Sequence, residues 1–398
     1  MAPRSTSDRS LSPAPHGYDT KDFRLVDRRL GSNEDFARFV RLCHENGIRV
    51  VVDGVFNHTG REFFAFQDIR EKREASPYKD WYRGVNFGWG SPLGDPFGYE
   101  AWQGHFELPC LNLRNPEVRQ YLFDSIQFWV DNFNIDGIRL DCANVLDFGF
   151  MKELREKTSA MKPDFWLMGE VIHGEYNRWV NPEMLHSVTN YELHKALYSG
   201  HNDHNYFEIA HNVRRLEAVG RSLYTFVDNH DEDRIASKLN NLANLFPVYQ
   251  LLFTLPGIPS VYYGSEWGIE GKRSRTSDEV LRPALNLSDM LGKAPELASH
   301  IAALGKIHTE NDAFHNGSYK ELLLTNRQYA FSRSGEHGTV ISAVNNDEQP
   351  ASISIPLPCA ASDVVSLLPG EIPFSLENGR LSVTLPANGG AIFKLQEV

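Results

Sequence analysis

The sequence predicts an α/β protein whose parallel strands are arranged as in a (β/α)8 barrel, followed by an antiparallel β-domain. Apolar, β-branched runs alternate with amphipathic helical stretches over most of the chain, which is typical of parallel strands joined by helices. Six of these runs end in polar or acidic residues. After about Glu310 the pattern changes to short alternating runs separated by turn signals, with no helix between them, which is typical of antiparallel sheet.

Strands joined by helices all run in one direction, so their polar ends meet at the face where such barrels carry their active sites. An open doubly wound sheet is the alternative, but no glycine-rich nucleotide loop follows the first strand. Helices are predicted to begin near Ser32 and Pro116. The predicted strands are Ile48–Val55, Ile135–Asp141, Phe165–Val171, Ser187–Tyr191, Leu223–Asn229 and Gly257–Tyr263.

Four segments make up the predicted organisation. Residues 1–15 are polar and proline-rich and are expected to be disordered, and residues 16–309 are expected to form the barrel. Residues 59–116 are too long for a structureless loop and predict a small excursion domain. Residues 310–398 are expected to form a β-sandwich. The aromatic residues of the excursion are suited either to stacking on a ligand or to forming its own core: Trp81, Phe87, Trp89, Phe97, Tyr99 and Trp102.

Composition excludes several classes of function. The net charge of −12 argues against a nucleic-acid partner, because phosphate binding needs a basic surface. No stretch is apolar enough to span a membrane, and the first residues lack the apolar segment of a secretory signal, so a cytoplasmic location is expected. The cysteines have no metal-ligand spacing and are expected to be reduced thiols: Cys43, Cys110, Cys142 and Cys359.

Acidic and imidazole groups close four of the predicted strands. Taken singly, an acid at a strand end is often a helix cap, and an Arg-x-Asp sequence is often a salt bridge. Here four of the six predicted parallel strands carry such groups at their carboxyl ends. Because these ends lie on the same face, the four segments together predict one site. The segments that carry them are Asp53–His58, Gly137–Asp141, Gly169–Val171 and Phe226–Asp231.

These four segments resemble the signature regions of the α-amylase family of glycoside hydrolases, in order and with matching spacing. The segments His16–Thr20, Leu108–Asn112 and Gly257–Glu266 resemble further motifs of that family, so the likeness extends from about His16 to the C-terminus. The Ala143-Asn144 pair is similar to the neopullulanase and cyclomaltodextrinase branch, which acts on maltodextrins, cyclic dextrins and pullulan. The resemblance implies retaining hydrolysis of α-glucosidic bonds in maltodextrins or related α-glucans.

The resemblance also implies the role of each site residue. Asp141 is implied to be the nucleophile, Glu170 the general acid/base and Asp231 the stabiliser of the transition state. Tyr18 is implied to stack under the sugar ring, and the substrate-binding set is completed by His58, Arg139, His230 and Arg234. No metal or organic cofactor is required for this chemistry. The partner that the resemblance implies is an α-glucan or malto-oligosaccharide, and no nucleic-acid or membrane partner is expected.

The chemistry accounts for these residue types. Cleavage of a glycosidic bond places positive charge on the sugar ring and negative charge on the leaving oxygen, so one carboxylate must be ionised and one carboxyl protonated. Arg139 is expected to favour ionised Asp141 through its charge. The apolar residues Phe165, Trp166 and Met168 are expected to raise the pKa of Glu170.

The sequence departs from the family pattern at two places. Many family members bind calcium through a histidine shortly after the nucleophile; here Cys142–Leu146 follows it without one, which argues against calcium at that position. The family has two barrel strands before the motif at His16, so the barrel is expected to lack them and to leave open edges on Ile48–Val55 and Gly257–Tyr263. Open edges predict self-association, including a homo-oligomer. The alternative is a truncated, non-catalytic remnant that at most binds oligosaccharide.

Overall fold

The computed structural model describes residues 17–274 and 277–397. The predicted disordered segment, residues 1–15, lies outside the described residues, as does His16 of the first motif. The chain divides between Val188 and Thr189 into two compact units. Within the described residues, no helix is both long and apolar enough to cross a membrane.

The first unit contains a parallel sheet and its helices. Its strands are β1 (Val51–Gly54), β2 (Ala101–Trp102), β3 (His105–Pro109), β4 (Gly137–Leu140), β5 (Trp166–Gly169) and β6 (Ser187–Val188). Its helices are α1 (Asn33–Glu45), α2 (Phe64–Lys72), α3 (Pro116–Phe133) and α4 (Phe148–Met161). The sheet has the order β1-β4-β5-β6, with all pairs parallel. Helices α2 and α3 lie between β1 and β4, and α4 lies between β4 and β5, as a (β/α)8-type architecture requires, whereas a short 3-10 turn at Tyr176–Arg178 lies between β5 and β6.

Local sequence signals account for where these helices begin and end. The Ser32 side chain accepts a hydrogen bond from the Asp35 backbone N–H at 3.2 Å, and Asp35 accepts one from the Ser32 N–H at 2.9 Å. This capping box satisfies N–H groups that the first turn of α1 leaves unpaired. Helix α3 has Asn115 as its cap and Pro116 in its first turn, and it ends at Asn134 with a left-handed φ of 56°. Both predicted helix starts are confirmed.

Asp136 helps to fix the register between strands β1 and β4. It stands just before β4 and accepts hydrogen bonds from the Val50 backbone N–H and from Lys162 Nζ, both at 2.7 Å. His44 Nε2 lies 2.7 Å from the same carboxylate. Burial works against the charge, yet these partners hold the pKa of Asp136 below its ordinary value. Because the contact between Asp136 and Val50 helps to fix the register of β1 against β4, the carboxyl ends of the two strands lie side by side.

The excursion, residues 59–116, has helix α2, the antiparallel pair β2–β3 and a largely aromatic core. Trp81, Phe97 and Tyr99 are buried, whereas Trp89 is 64% exposed. Of the two alternatives for these aromatic residues, a core of the excursion's own is therefore confirmed for the three buried rings. The Asp95 carboxylate is buried among them and is paired with two arginines.

The second unit begins with helices around a parallel strand pair and ends in antiparallel sheets. Its helices are α5 (Tyr191–Asn202), α6 (Tyr206–Arg215), α7 (Ile235–Lys238), α8 (Leu245–Thr254), α9 (Leu287–Met290) and α10 (Pro295–Glu310). Its first strands, β7 (Tyr224–Phe226) and β8 (Ile258–Ser260), are parallel. The later strands are β9 (Ser318–Leu324), β10 (Gln328–Gly335), β11 (Gly338–Asn345), β12 (Ala351–Pro356), β13 (Ala361–Ser366), β14 (Phe374–Glu377), β15 (Arg380–Leu385) and β16 (Gly389–Glu397).

The antiparallel strands form two sheets, with orders β13-β16-β11-β10-β9 and β12-β15-β14. Ile341, Ala343 and Phe393 of the larger sheet belong to a core shared with the smaller one. Val340 and Val344, which alternate with them, belong to a core shared with the helices α8 and α10. Both faces of β11 are thus buried, because successive side chains of a strand point to opposite faces.

The fold class is confirmed, and the predicted barrel strands are all present with shorter bounds than predicted. In the antiparallel region the sequence marks β10, β11, β12, β15 and β16 but not β9, β13 and β14; the alternating runs that it shows are Tyr329–Arg333, Val340–Asn345, Ser352–Pro356, Leu381–Leu385 and Ala391–Leu395. Among the described residues β1 pairs only with β4, and β8 pairs only with β7. Val51 is 39% exposed and Ile258 is 36% exposed. The predicted open edges of these two strands are therefore confirmed.

Candidate active site

The carboxylates of the first unit converge at the carboxyl ends of its parallel strands. Asp53 lies in β1 opposite Arg139 of β4, and Asp141 and Glu170 directly follow β4 and β5. The Asp141 backbone N–H donates to a carbonyl of β1 at 3.2 Å, and the Glu170 N–H donates to a carbonyl of β4 at 2.9 Å. The sheet ladder therefore continues to the two carboxyl residues themselves and fixes their backbones.

Arg139 contacts all three carboxylates of this cluster. Its Nη1 lies 3.0 Å from Asp53 Oδ1 and 3.3 Å from Asp141 Oδ1, and its Nη2 lies 3.1 Å from Glu170 Oε2. Burial works against the charge of the guanidinium, but Asp53, Glu170, Tyr18 and Asp141 outweigh it and hold the pKa of Arg139 well above its ordinary value. Arg139 therefore stays charged at any pH at which the fold persists.

Asp141 and Glu170 face each other at short range. One carboxylate oxygen of each, together with Cys142 Sγ, lies within 4.8 Å of the others, and both residues are 7% exposed. Burial raises the pKa of Asp141, whereas Arg139 and a hydrogen bond from Cys142 lower it, and burial outweighs them. Arg139 thus favours the ionised form of Asp141, as predicted, although burial decides the direction of the net pKa shift.

Tyr18 and His58 lie beside this cluster and are bonded to each other. The Tyr18 hydroxyl donates to Asp53 Oδ2 at 3.0 Å. His58 Nε2 lies 3.1 Å from the Tyr18 carbonyl oxygen, and Asn57 Nδ2 lies 3.2 Å from His58 Nδ1. A carbonyl only accepts, so Nε2 carries the proton and Nδ1 accepts from Asn57. His58 is 1% exposed and stacks on Trp102 at 6.3 Å. Its predicted contact with sugar hydroxyls stays a prediction; in this structure its ring nitrogens hydrogen-bond the Tyr18 carbonyl and the Asn57 amide, which position Tyr18.

The second unit carries the other predicted acid. His230 and Asp231 follow β7, and His230 Nε2 lies 3.2 Å from Asp231 Oδ2. Arg282 Nη2 lies 3.0 Å from Asp231 Oδ1 and 2.8 Å from Asp278 Oδ2. The Arg282 Nε–H donates to the His230 carbonyl at 3.3 Å. The Asn229 side chain accepts from the Asp231 backbone N–H at 2.9 Å, which fixes the turn. Asp231 is thus held on one oxygen by a cation and on the other by an imidazole.

Arg234 lies inside the second unit, bonded to protein groups. It is 0% exposed, and its guanidinium donates to the Tyr263 carbonyl at 2.6 Å, to Ser265 Oγ at 3.0 Å and to the Leu281 carbonyl at 2.8 Å. The Tyr262 ring stacks on it at 4.2 Å. A guanidinium with these protein acceptors braces the segments after β8, and the place of Arg234 in the substrate-binding set stays a prediction.

Sequence reasoning missed two residues of these clusters, Arg282 and Cys142. Arg282 stands in the irregular stretch between β8 and α10, where no periodicity marks a functional position. An arginine four residues after Asp278 was the available signal, and this spacing is common on protein surfaces. Cys142 was visible beside Asp141, but the sequence does not give the direction of its thiol.

The structural calcium common in the implied family has no fitting donor set near the nucleophile. Among the described residues, the group with metal-ligand proximity is Asp141, Cys142 and Glu170. Calcium requires hard oxygen ligands, whereas this group offers a thiol and two carboxylates already paired with Arg139. Asn144, three residues after Asp141, is exposed. No step of the chemistry is therefore assigned to calcium.

The known proteins to which this chain is similar are α-amylases and related enzymes. Residues 5–295 match the model of the α-amylase catalytic domain. The chain is 31% identical to a cyclomaltodextrinase of Geobacillus thermopakistaniensis, over 97% of this chain and 66% of that enzyme. It is also 31% identical to the intracellular maltogenic amylase of Bacillus subtilis, over 66% of this chain and 45% of that enzyme. The chain thus spans less than two thirds of the length of these curated relatives.

Among solved structures, an acarbose-soaked debranching enzyme of Nostoc punctiforme superposes on this chain with a TM-score of 0.85. It shares 28% sequence identity and covers 96% of this chain and 83% of its own. The similarity therefore extends over both units of this chain.

Proposed function

Because this chain belongs to the α-amylase family, we propose that it is a retaining glycoside hydrolase that cleaves α-glucosidic bonds in maltodextrins or related α-glucans. The observation that carries the proposal is the pair Asp141 and Glu170, with carboxylate oxygens within 4.8 Å of each other. Retaining glycosidases hold their two carboxyl groups about 5–5.5 Å apart, whereas inverting ones leave about 6.5–9.5 Å for a water molecule. The pair therefore suits direct attack by one carboxylate on the sugar.

In the first half of the reaction, an Asp141 oxygen attacks the anomeric carbon as the bond to the leaving oxygen breaks. The leaving oxygen keeps the electron pair of that bond and takes the proton of Glu170. In the second half, Glu170 removes a proton from water, and the water oxygen displaces Asp141 and restores the configuration. Transfer of the glycosyl group to another sugar follows the same steps with a hydroxyl in place of water.

Asp231 is proposed as the carboxylate that stabilises the positive charge on the sugar ring. In support, Arg282 at 3.0 Å and His230 at 3.2 Å keep it in one orientation. An oriented anion stabilises charge in the transition state without having to reorganise. On the same proposal, residues 16–309 form the catalytic region with its excursion at about 59–116, and residues 310–398 form a β-sandwich domain.

The names of the relatives support an α-glucan substrate. One is called a cyclomaltodextrinase, one a maltogenic amylase and one a debranching enzyme. We therefore propose malto-oligosaccharides and cyclic dextrins as substrates, and a cytoplasmic location by analogy with the intracellular Bacillus subtilis enzyme. The alternative of a remnant that only binds oligosaccharide has less support, because the two carboxylates and Arg139 keep a geometry suited to catalysis.

Release of reducing sugar from maltotriose and β-cyclodextrin tests this proposal. We expect Asp141→Asn and Glu170→Gln each to lower kcat by about 10³-fold or more, the scale of losing a nucleophile or an acid/base group. Asp164→Asn and Glu183→Gln are matched controls, because they make the same chemical changes at exposed positions. A catalytic variant that keeps more than a tenth of the parent rate refutes its assigned role, and an inactive parent refutes the proposed function.

A further inference from the structure

Cys142 lies between the two proposed catalytic carboxyl groups. It follows Asp141 at the end of β4 and is 9% exposed. Its backbone has a left-handed conformation, with φ of 49° and ψ of 38°, which residues other than glycine rarely adopt. This conformation turns the chain so that the residue presents both its N–H group and its thiol to the carboxylates.

The two polar groups of Cys142 bind different partners. Its backbone N–H donates to Glu170 Oε2 at 3.1 Å, and its thiol donates to Asp141 Oδ2 at 3.1 Å. The other Asp141 oxygen, Oδ1, is held by Arg139 at 3.3 Å. Asp141 therefore has a guanidinium on one oxygen and a thiol on the other, and the two fix the plane of its carboxylate.

The thiol remains a donor throughout the working pH range. Burial raises the pKa of Cys142, Asp141 and Glu170 raise it further, and Arg139 compensates only in part, so the pKa lies far above its ordinary value. A thiol that keeps its proton does not compete with Asp141 as a nucleophile. An S–H group is also a weak donor, so it orients an oxygen without much lowering its basicity.

We infer that Cys142 is a positioning residue for the nucleophile, holding Asp141 Oδ2 as the attacking oxygen while Arg139 holds Oδ1. This inference rests on the proposed function. When a carboxylate oxygen attacks, it loses the hydrogen bond that it accepts. A hydrogen bond from a weak neutral donor is weaker than one from a cation, so less energy is lost at Oδ2, which is the better nucleophile of the two oxygens. The thiol thus contributes orientation to the step in which the carboxylate attacks.

Removal of the thiol should change the ionisation of Asp141 in a definite direction. The charged groups of the first unit that face Asp141 are Arg139 on its own strand, Asp53 on β1 and Glu170 after β5, with the Tyr18 hydroxyl bound to Asp53. None of them changes when the thiol is replaced. Loss of a donor to the ionised form raises the pKa of Asp141, so the acidic limb of the kcat/KM profile should move to higher pH.

The test compares Cys142→Ala and Cys142→Ser with the parent, using maltotriose hydrolysis from pH 4 to 9. For Cys142→Ala we expect kcat to fall about 3- to 10-fold and KM to change less than about 2-fold. The acidic limb of the pH profile should move to higher pH by about half a unit. These effects are on the scale of one weak hydrogen bond to a charged group. Cys142→Ser keeps a donor and a stronger one, so its kcat should lie near the parent value and its acidic limb at or below the parent limb. Cys359→Ala controls for the loss of a cysteine elsewhere.

The alkaline limb gives an internal control. It reports Glu170 as the acid, and both variants keep the backbone N–H that bonds it, so this limb should not move. An active parent whose Cys142→Ala variant keeps the parent kcat and acidic limb overturns the inference and leaves the proposed function intact. A parent without hydrolysis overturns the proposed function and the inference with it. If the alanine variant fails to fold, a serine variant with its acidic limb above that of the parent overturns the inference.

Discussion

Replacement of Arg139 by methionine tests how the buried carboxylates are stabilised. Methionine keeps most of the side-chain length but removes the cation that contacts Asp53, Asp141 and Glu170 at 3.0, 3.3 and 3.1 Å. Removing one partner of a buried ion pair costs about 3–5 kcal/mol, because the remaining charge is left uncompensated. Asp53 is 42% exposed at its side chain and contributes little to this loss, and Glu170 is proposed to carry a proton, so most of the loss comes from Asp141.

The loss should depend on pH with a sign that the structure fixes. Burial already raises the pKa of Asp141 in the folded parent, so the parent loses stability as pH rises from the unfolded value, about 3.9, through the folded value. Without Arg139 the folded pKa rises further, and the penalty above it grows. Well below about 3.9 Asp141 is protonated in both states, and this penalty disappears.

Urea unfolding of the parent and Arg139→Met, followed by circular dichroism at pH 7.5 and at pH 4, measures this difference. We expect a loss of about 3–5 kcal/mol at pH 7.5 and a clearly smaller loss at pH 4. Arg49→Met is a matched control, because Arg49 pairs with Asp164 at an exposed position. A loss of the same size at both pH values would show that methionine disturbs packing and that the charge of Arg139 is not what stabilises the cluster.

Three further outcomes are expected. Arg282→Met should lower kcat/KM for maltotriose about 10-fold, because Asp231 loses its cation; an unchanged value would exclude Arg282 from the site. His58→Ala should lower kcat/KM by a similar factor through release of the Tyr18 carbonyl, whereas unchanged kinetics would show that Tyr18 needs no such support. The parent should self-associate through the open edge of β1. Sedimentation velocity should show less self-association for Val51→Lys, because a lysine at an edge strand blocks pairing with another strand. A parent that is monomeric at micromolar concentration would contradict this prediction.

Much of the first cluster follows from the sequence because a parallel sheet brings together the ends of strands. Asp53, Asp141 and Glu170 each close a strand, and ladder hydrogen bonds place those ends at one edge. Periodicity therefore predicted their proximity without any distances. The antiparallel strands that were missed had no such signal. In β9 (Ser318–Leu324, sequence SYKELLL) charged and apolar residues do not alternate, and β14 is mostly exposed. Neither strand therefore shows the alternation of apolar and polar residues that marks a half-buried strand.

What the sequence did not predict depends on the direction of side chains and on burial. A motif assigns Asp141 a charge partner, but the sign of its pKa shift depends on how much solvent the whole fold removes, and burial exceeds the effect of Arg139. A motif places His58 and Arg234 near a sugar, but in the structure the ring nitrogens of His58 and the guanidinium of Arg234 hydrogen-bond protein groups.

Cys142 shows the same limit most sharply. Side-chain identity says that a thiol is adjacent to the nucleophile, and only the left-handed φ of 49° turns that thiol onto Oδ2 instead of away from it. Such a conformation costs about 1–2 kcal/mol for a residue with a β-carbon, so other contacts must maintain it. The N–H bond to Glu170 and the turn that continues through Ala143 provide those contacts. The backbone that orients the nucleophile is therefore stabilised by the proposed acid, and the two carboxyl groups are coupled through one residue before any substrate is bound.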